Sequence, residues 1–137
     1  MDDQPHGSHF RSVPHYYGDI VRVLFVFAAI LVFITESVAG DNLLSAFSTI
    51  IVLLALVLAA GVTNPRQRGI HWINLLLAVA GLLIFGGSAL DRYRAGLGFS
   101  LKDILVTVIA LIFLVSLYFA TRTIRGLVLR YHPVQPD

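Results

Sequence analysis

The sequence predicts an all-α integral membrane protein, an antiparallel bundle of four transmembrane helices joined by short loops. The 137 residues are 57% hydrophobic and only 13% charged, whereas a soluble domain has roughly 45–50% apolar and about 25% charged residues. Charged residues also separate four apolar stretches, each close to the roughly 20 residues that a helix needs to cross a bilayer. A chain this small could not bury so much apolar surface, which argues against a soluble enzyme.

The four spans are predicted at residues 20–38, 43–63, 66–90 and 101–124, between the tails 1–19 and 132–137, so that residues 20–131 form a single domain. The first span reaches full length only if it includes Arg22, whose guanidinium can extend to the headgroups while its stem stays in the apolar layer. None of the spans alternates like a barrel strand, and helices satisfy their own backbone groups in lipid.

Turn and capping residues predict where the helices begin and end. Gly61 is expected to end the second helix, and Asn64-Pro65 has the pattern of an N-cap followed by a first helical residue. Ser100-Leu-Lys-Asp103 combines an N-cap serine with an acid three residues later, a capping-box variant that should start the fourth helix. This helix is expected to continue past the bilayer toward Tyr131, before Pro133 stops it.

The distribution of Lys and Arg predicts the orientation. The side that holds both termini has seven basic residues and the other side has three, so both termini are expected in the cytoplasm of a bacterial inner (plasma) membrane. The seven are Arg11, Arg22, Arg66, Arg68, Arg122, Arg125 and Arg130, and the three are Arg92, Arg94 and Lys102.

Cleavage of the first span is an alternative, because Ser37-Val38-Ala39 is similar to a signal-peptidase site. Cleavage after Ala39 would leave three spans. The preceding segment carries little positive charge and contains Asp2, Asp3 and Asp19, which favours a retained span.

Small and polar residues recur at heptad spacing on the second and third spans, as is typical of helix interfaces in membranes. We predict that these two faces pack against each other. The residues of this predicted helix-packing face are Ser45, Ser48, Ala55 and Ala59 on the second span, and His71, Asn74, Ala78, Gly81 and Ser88 on the third. A polar permeation path along this face is the alternative, but it would need ionisable residues at mid-depth.

Charged residues gather at the span ends. Glu36 is predicted to pair with Arg92 or Arg94 at the outer surface. Three arginines in the last part of the chain, Arg122, Arg125 and Arg130, are predicted to contact anionic lipid headgroups, with a purely topology-setting role as the alternative.

No arrangement of residues in the sequence points to chemistry. There is no cysteine, which removes thiol redox chemistry and cysteine-based metal sites, and no P-loop, nucleophile elbow or paired-carboxylate motif is present. We therefore expect no catalytic, metal or cofactor site, no enzymatic activity and no nucleic-acid partner.

Three segments carry a resemblance: Pro14-His-Tyr-Tyr-Gly-Asp-Ile-Val-Arg22 before the first span, Gly61-Val-Thr-Asn-Pro-Arg66-Gln between the second and third, and Thr123-Ile-Arg-Gly126-Leu after the fourth. Together they resemble a group of small four-span bacterial membrane proteins. The resemblance implies membrane location and span count, and no activity.

The expected function is association. With short loops and small-residue helix faces, the protein is predicted to act as a homo-oligomer or as an accessory or structural subunit of a larger membrane complex. The alternative is a small oligomeric channel or exchanger with His71, Asn74 and Glu36 near its mouths.

Overall fold

The computed structural model describes residues 17–38, 43–62, 68–96 and 100–129, and every regular element within these ranges is helical. A π-helical turn, Leu82–Gly86, joins the third and fourth α-helices without a break, so together they form one continuous helix. The α-helices are α1 (Gly18–Val38), α2 (Ala46–Val62), α3 (Arg68–Gly81), α4 (Gly87–Arg94) and α5 (Leu101–Leu129).

Three helices are long and apolar enough to cross a membrane: Gly18–Val38, Gly69–Arg94 and Leu101–Val128, with 21, 26 and 28 residues. Helix α2 has 17 residues and extends about 26 Å at 1.5 Å per residue, slightly less than the roughly 30 Å of a hydrocarbon core. It is shorter than the predicted span because it begins after Ser45, whose Oγ accepts the Ser48 N–H at 3.2 Å.

Neighbouring helices in the structure run antiparallel. Helix α1 packs against both α2 and α5, and α5 also packs against α3. Contacts at both ends show the direction of α2 relative to α1, since Arg22 bonds to Ala60 and Glu36 to Leu44. One end of the bundle therefore holds the start of α1 and the end of α2, and we call it the Arg22 end; the opposite end is the Asp103 end.

Three phenylalanines fill the centre of the bundle. The Phe113 ring of α5 stacks on Phe85 of the π-helical turn, with centroids 5.8 Å apart, and lies 6.3 Å from Phe25 of α1. All three are buried. Gly81 lets the helices approach here, because a Cβ at this position would overlap the Phe113 ring.

The main partner of α3 differs from the one that the heptad pattern predicts. The polar and small face of α3 packs against α5, and α3 touches α2 only slightly. Helices in lipid gain nothing from apolar burial alone and close where shapes interlock. The Gly81 notch and the Phe113 ring interlock in this way, so they direct α3 toward α5 although α2 precedes it in the chain.

Candidate functional site

Apart from Ser116, which lies one turn from Phe113, the buried polar side chains of the described residues gather at the two ends of the bundle, on either side of the phenylalanine cluster. At the Asp103 end, Lys102 and Asp103 are buried at the start of α5. At the Arg22 end, His71 and Asn74 are buried at the start of α3, and Thr123 is buried on α5. The two ends therefore present separate polar sites, and we describe each in turn.

The start of α5 is held by the predicted capping box. Ser100 Oγ accepts the Asp103 N–H at 3.2 Å, and the Asp103 carboxylate accepts the Ser100 N–H at 3.0 Å. This prediction is confirmed. The same carboxylate forms an ion pair with Arg92 of α4, so one side chain both caps α5 and ties it to α4.

The Arg92–Asp103 pair replaces the pairing of Arg92 with Glu36 that the sequence suggested. Arg94 is exposed. Glu36 Oε2 instead lies 3.5 Å from the Leu44 N–H ahead of α2, while Oε1 is buried without a hydrogen-bond partner among the described residues. Arg92 pairs with Asp103 because the capping box with Ser100 already holds the Asp103 carboxylate beside α4.

Lys102 was not singled out from the sequence, although a sequence signal for it exists. It begins a heptad row on α5 whose members are all buried: Lys102, Val106, Ile109, Phe113, Ser116, Ala120 and Thr123. Its Nζ is buried with no hydrogen-bond partner in the described part of the chain. Glu36 follows Phe25 by 11 residues on α1, and Lys102 precedes Phe113 by 11 residues on the antiparallel α5. Because Phe25 and Phe113 are in contact, Lys102 and Glu36 lie at the same height in the bundle.

At the Arg22 end, His71 and Asn74 share one face of α3, as predicted, and both are buried. Counted along the antiparallel helices from the Gly81–Phe113 contact, Asn74 and Ala120 are each 7 residues away and lie at the same height. His71 and Thr123 are each 10 residues away and also lie at the same height. Asn74 is 3% exposed, and its Oδ1 accepts no hydrogen bond from any described residue.

A cleft of about 330 Å³ separates α2 from α3 beside Asn74. Its walls are almost wholly apolar, with Leu58 and Ala59 on α2 and Ile73 and Leu77 on α3, and Asn74 is the polar residue among those that line it. A carboxamide oxygen with no hydrogen-bond partner among the described residues therefore borders an apolar opening on the side of the bundle.

The residues of the predicted packing face on α3 fall on the buried side of that helix. Ala78 and Gly81 are buried with His71 and Asn74, whereas Ser88 is half-buried and donates to the Ile84 carbonyl at 2.7 Å. Their principal neighbour is α5.

The residues predicted for this face on α2 are more dispersed. Ala59 is buried and Ala55 half-buried, and both line the cleft. Ser45 is exposed and caps α2 together with Ser48, their hydroxyl oxygens being 2.9 Å apart. Ser45, the first residue of the predicted packing face on α2, is therefore the N-cap of that helix, because its hydroxyl accepts a backbone N–H that has no partner within the helix.

Two of the three arginines predicted to contact headgroups, Arg122 and Arg125, lie on the last part of α5. The Arg122 guanidinium stands 5.1 Å from the centroid of the Tyr17 ring and donates to the Tyr118 hydroxyl at 3.3 Å. Arg125 is exposed, and Arg130 lies outside the described residues. Helix α5 continues to Leu129, about 10 Å beyond the level of Tyr17, in keeping with the predicted long fourth helix.

Helix α1 includes Gly18 and Asp19, which the sequence assigned to the first tail. Other sequence predictions fall outside the described residues, namely the Asn64-Pro65 cap, the Ala39 cleavage site, residues 1–16 of the first tail and the tail 132–137. Among the residues described, no group of three or more His, Cys, Asp or Glu side chains has the arrangement of a metal site. No protein-family model, curated protein or solved structure matches the chain.

Proposed function

We propose that this chain is a four-span protein of the bacterial inner membrane, with both termini in the cytoplasm, and that it acts without catalysis by associating laterally with a second copy of itself. The observation that carries the proposal is the cleft between α2 and α3, where the buried Asn74 Oδ1 has no partner among the described residues. In this proposal helix α2 is the second of the four spans; it is short, and from Ile50 to Val62 it consists of apolar residues and one glycine.

Asn74 supports self-association because a carboxamide carries both donors and an acceptor. Asn74 is 3% exposed, so the cleft between α2 and α3 must widen before two Asn74 side chains, related by a twofold axis, satisfy each other as an isologous interface requires. Polar side chains of this kind hold membrane helices together. Ile73 and Leu58 flank the cleft and are 54% and 53% exposed, so they offer apolar surface to the second copy.

The test uses single cysteines, which the chain's lack of native cysteine makes specific. Ile73→Cys and Leu58→Cys should each form a disulfide-linked dimer when membranes are treated with a mild oxidant. Leu111→Cys on α5 is the matched control, since Leu111 is equally exposed at 54% but lies away from the cleft. Adding Asn74→Leu to Ile73→Cys should reduce dimer formation about tenfold.

Each result decides the proposal. Equal crosslinking at positions 73 and 111 would mean that the dimers form by random collision in the membrane. No dimer at position 73 would show that the cleft does not mediate self-association. An adduct of position 73 with a different protein would replace self-association by an accessory role in a larger complex.

A small oligomeric channel or exchanger is the alternative, and the buried polar groups at both bundle ends favour it. Glu36 and Lys102 lie at one end and Asn74 at the other, with the phenylalanine cluster between them. A pathway would therefore run between protomers. Flux of protons, common ions and cationic dyes in liposomes tests it, and wild-type protein with no flux above empty liposomes would remove this alternative.

A further inference from the structure

A second and larger cleft, of about 510 Å³, lies on a different side of the bundle, between α1 and α2 at the Arg22 end. Its wall has two parts. Asp19 and Arg22 provide opposite charges at the mouth, and an apolar floor of Val23, Val26, Phe27 and Val57 continues along the helices toward the bundle centre. The cleft is thus charged at its outer end and apolar along its length.

A hydrogen bond fixes the guanidinium of Arg22. Its Nε donates to the Ala60 carbonyl at 2.7 Å. Ala60 is two residues from the end of α2, where helix carbonyls have no partner within the helix, so Arg22 caps α2 from a neighbouring helix. The bond occupies Nε and leaves the two Nη groups, with their four N–H donors, available at the mouth.

A carboxylate stands beside those donors. Arg22 Nη1 is 3.9 Å from Asp19 Oδ1, and the two side chains are 44% and 80% exposed. This distance is too long for a hydrogen bond, so both groups keep capacity for other partners. The mouth therefore presents a cation and an anion side by side to the surroundings.

The depth of the pair suits a lipid headgroup. Arg22 lies four residues into α1, about 6 Å from the helix start, and α1 is long and apolar enough to cross a membrane. The charged mouth then lies near the interface, and the apolar floor faces the acyl chains.

We propose that this cleft binds a phospholipid with a phosphoethanolamine headgroup. Its phosphate accepts hydrogen bonds from the Arg22 Nη groups, its ammonium donates to the Asp19 carboxylate, and one acyl chain lies along Val26, Phe27 and Val57. The two charges of the headgroup are joined by a short ethylene link, which matches two side chains that lie next to each other. Guanidinium groups are well suited to phosphate.

The same charges discriminate against other headgroups. A choline headgroup carries a cation without an N–H donor, so it forms no hydrogen bond to Asp19. A headgroup with a phosphate and no cation leaves Asp19 unpaired beside a second negative charge. The preference for ethanolamine over choline thus depends on Asp19. Binding of either lipid depends on Arg22, which contacts the phosphate, and on the apolar floor, which contacts the acyl chain.

The experiment is native mass spectrometry of delipidated full-length protein with an equimolar mixture of phosphatidylethanolamine and phosphatidylcholine of identical acyl chains. Wild-type protein should retain the ethanolamine lipid about tenfold more than the choline lipid. The mono- and dimethylated ethanolamine lipids should fall between them, because each methyl group removes one donor. Soluble phosphoethanolamine at the same concentration should not bind, since it lacks the chain that fills the cleft.

Variants separate the parts of the site. Asp19→Asn, a change at an exposed side chain that leaves the fold intact, should reduce the preference for ethanolamine while both lipids still bind, because an amide oxygen is a weaker acceptor for the ammonium than a carboxylate. Val57→Trp should fill the cleft and reduce retention of both lipids, whereas Leu54→Trp, at a residue equally exposed at 56% but outside the cleft, should not. Arg22→Gln should reduce retention of both lipids, and Arg94→Gln controls for the loss of one arginine.

Three results would overturn the proposal. Equal retention of the two lipids by wild-type protein would show that headgroup charge plays no part. An unchanged preference in Asp19→Asn, or undiminished retention in Val57→Trp, would mean that the lipids bind elsewhere on the protein. None of these results bears on the Asn74 cleft, so the two proposals fail separately.

Discussion

The two sides of α3 differ in how they meet their neighbours. Toward α5 the interface is closed, with the Phe113 ring seated against Gly81 and the Arg92–Asp103 ion pair at the Asp103 end. Toward α2 the contact is slight, and an apolar cleft remains beside Asn74. The closed side carries the small and polar residues of α3 and the open side is almost wholly apolar, so shape and polar bonds, more than hydrophobicity, decide where these helices close.

The largest effect is expected where the closed side is deepest. Phe113→Ala should lower the free energy of unfolding in mixed micelles by about 3–4 kcal/mol, since it removes a fully buried ring that contacts both Phe25 and Phe85. Phe27→Ala, at a ring that is 56% exposed, should change it by less than about 0.5 kcal/mol. Equal losses in the two variants would contradict the central role of the cluster.

The ion pair is the second support of the closed side. Asp103→Ala should cost about 2–3 kcal/mol, because it removes a charge-assisted hydrogen bond to Arg92 and the cap of α5 together. A double-mutant cycle with Arg92→Gln measures the pairing alone. A coupling energy near zero would show that the carboxylate acts on α5 only as a cap.

A substitution at Gly81 tests the contact between Gly81 and the Phe113 ring directly, and it should lower the free energy of unfolding by less than the two changes above. Gly81→Ala should destabilise the protein by about 1–2 kcal/mol, since the added methyl group overlaps the Phe113 ring. Gly87→Ala is the matched control in the same continuous helix, where a Cβ meets nothing within 4 Å. It should be neutral or stabilising by up to about 1 kcal/mol, as alanine favours helix over glycine. A loss at both positions would point to helix backbone effects in place of packing.

The open side should respond in the opposite sense. Asn74→Leu removes a buried oxygen that has no hydrogen-bond partner in the described part of the chain, so the free energy of unfolding of the monomer should stay within about 1 kcal/mol of the wild-type value or rise. Thermal unfolding of the monomer in detergent measures it. A loss above about 2 kcal/mol would mean that Asn74 holds α3 within the bundle and is no candidate for association.

The sequence was enough to predict which face of α5 is buried and where this helix starts. It was not enough to predict that α3 packs against that face. The heptad from Lys102 to Thr123 marks the face of α5 that is buried, and the Ser100–Asp103 spacing marks where the helix starts, since both depend on positions close together in the chain. The pairing of Gly81 with Phe113 joins residues that are far apart in sequence. Nothing local to either residue shows that a notch and a ring meet.

The candidate sites show the same division. The sequence pattern identified His71 and Asn74 as one polar face and placed Arg22 at a span end. It did not indicate that Asn74 borders a cleft, or that Arg22 caps α2 through the Ala60 carbonyl. It also assigned Ser45 to a helix interface, although the local N-cap preference of serine gives it another role.

By itself, the sequence determined the helical class, the three long apolar helices and the cap of α5, because these follow from composition and from interactions within a few residues. Only the tertiary structure decided which faces close and which stay open. In an apolar environment, burial does not distinguish one apolar helix face from another. The choice therefore depends on the fit of a few side chains, here Gly81 against Phe113 and Arg92 against Asp103, which no periodic pattern records.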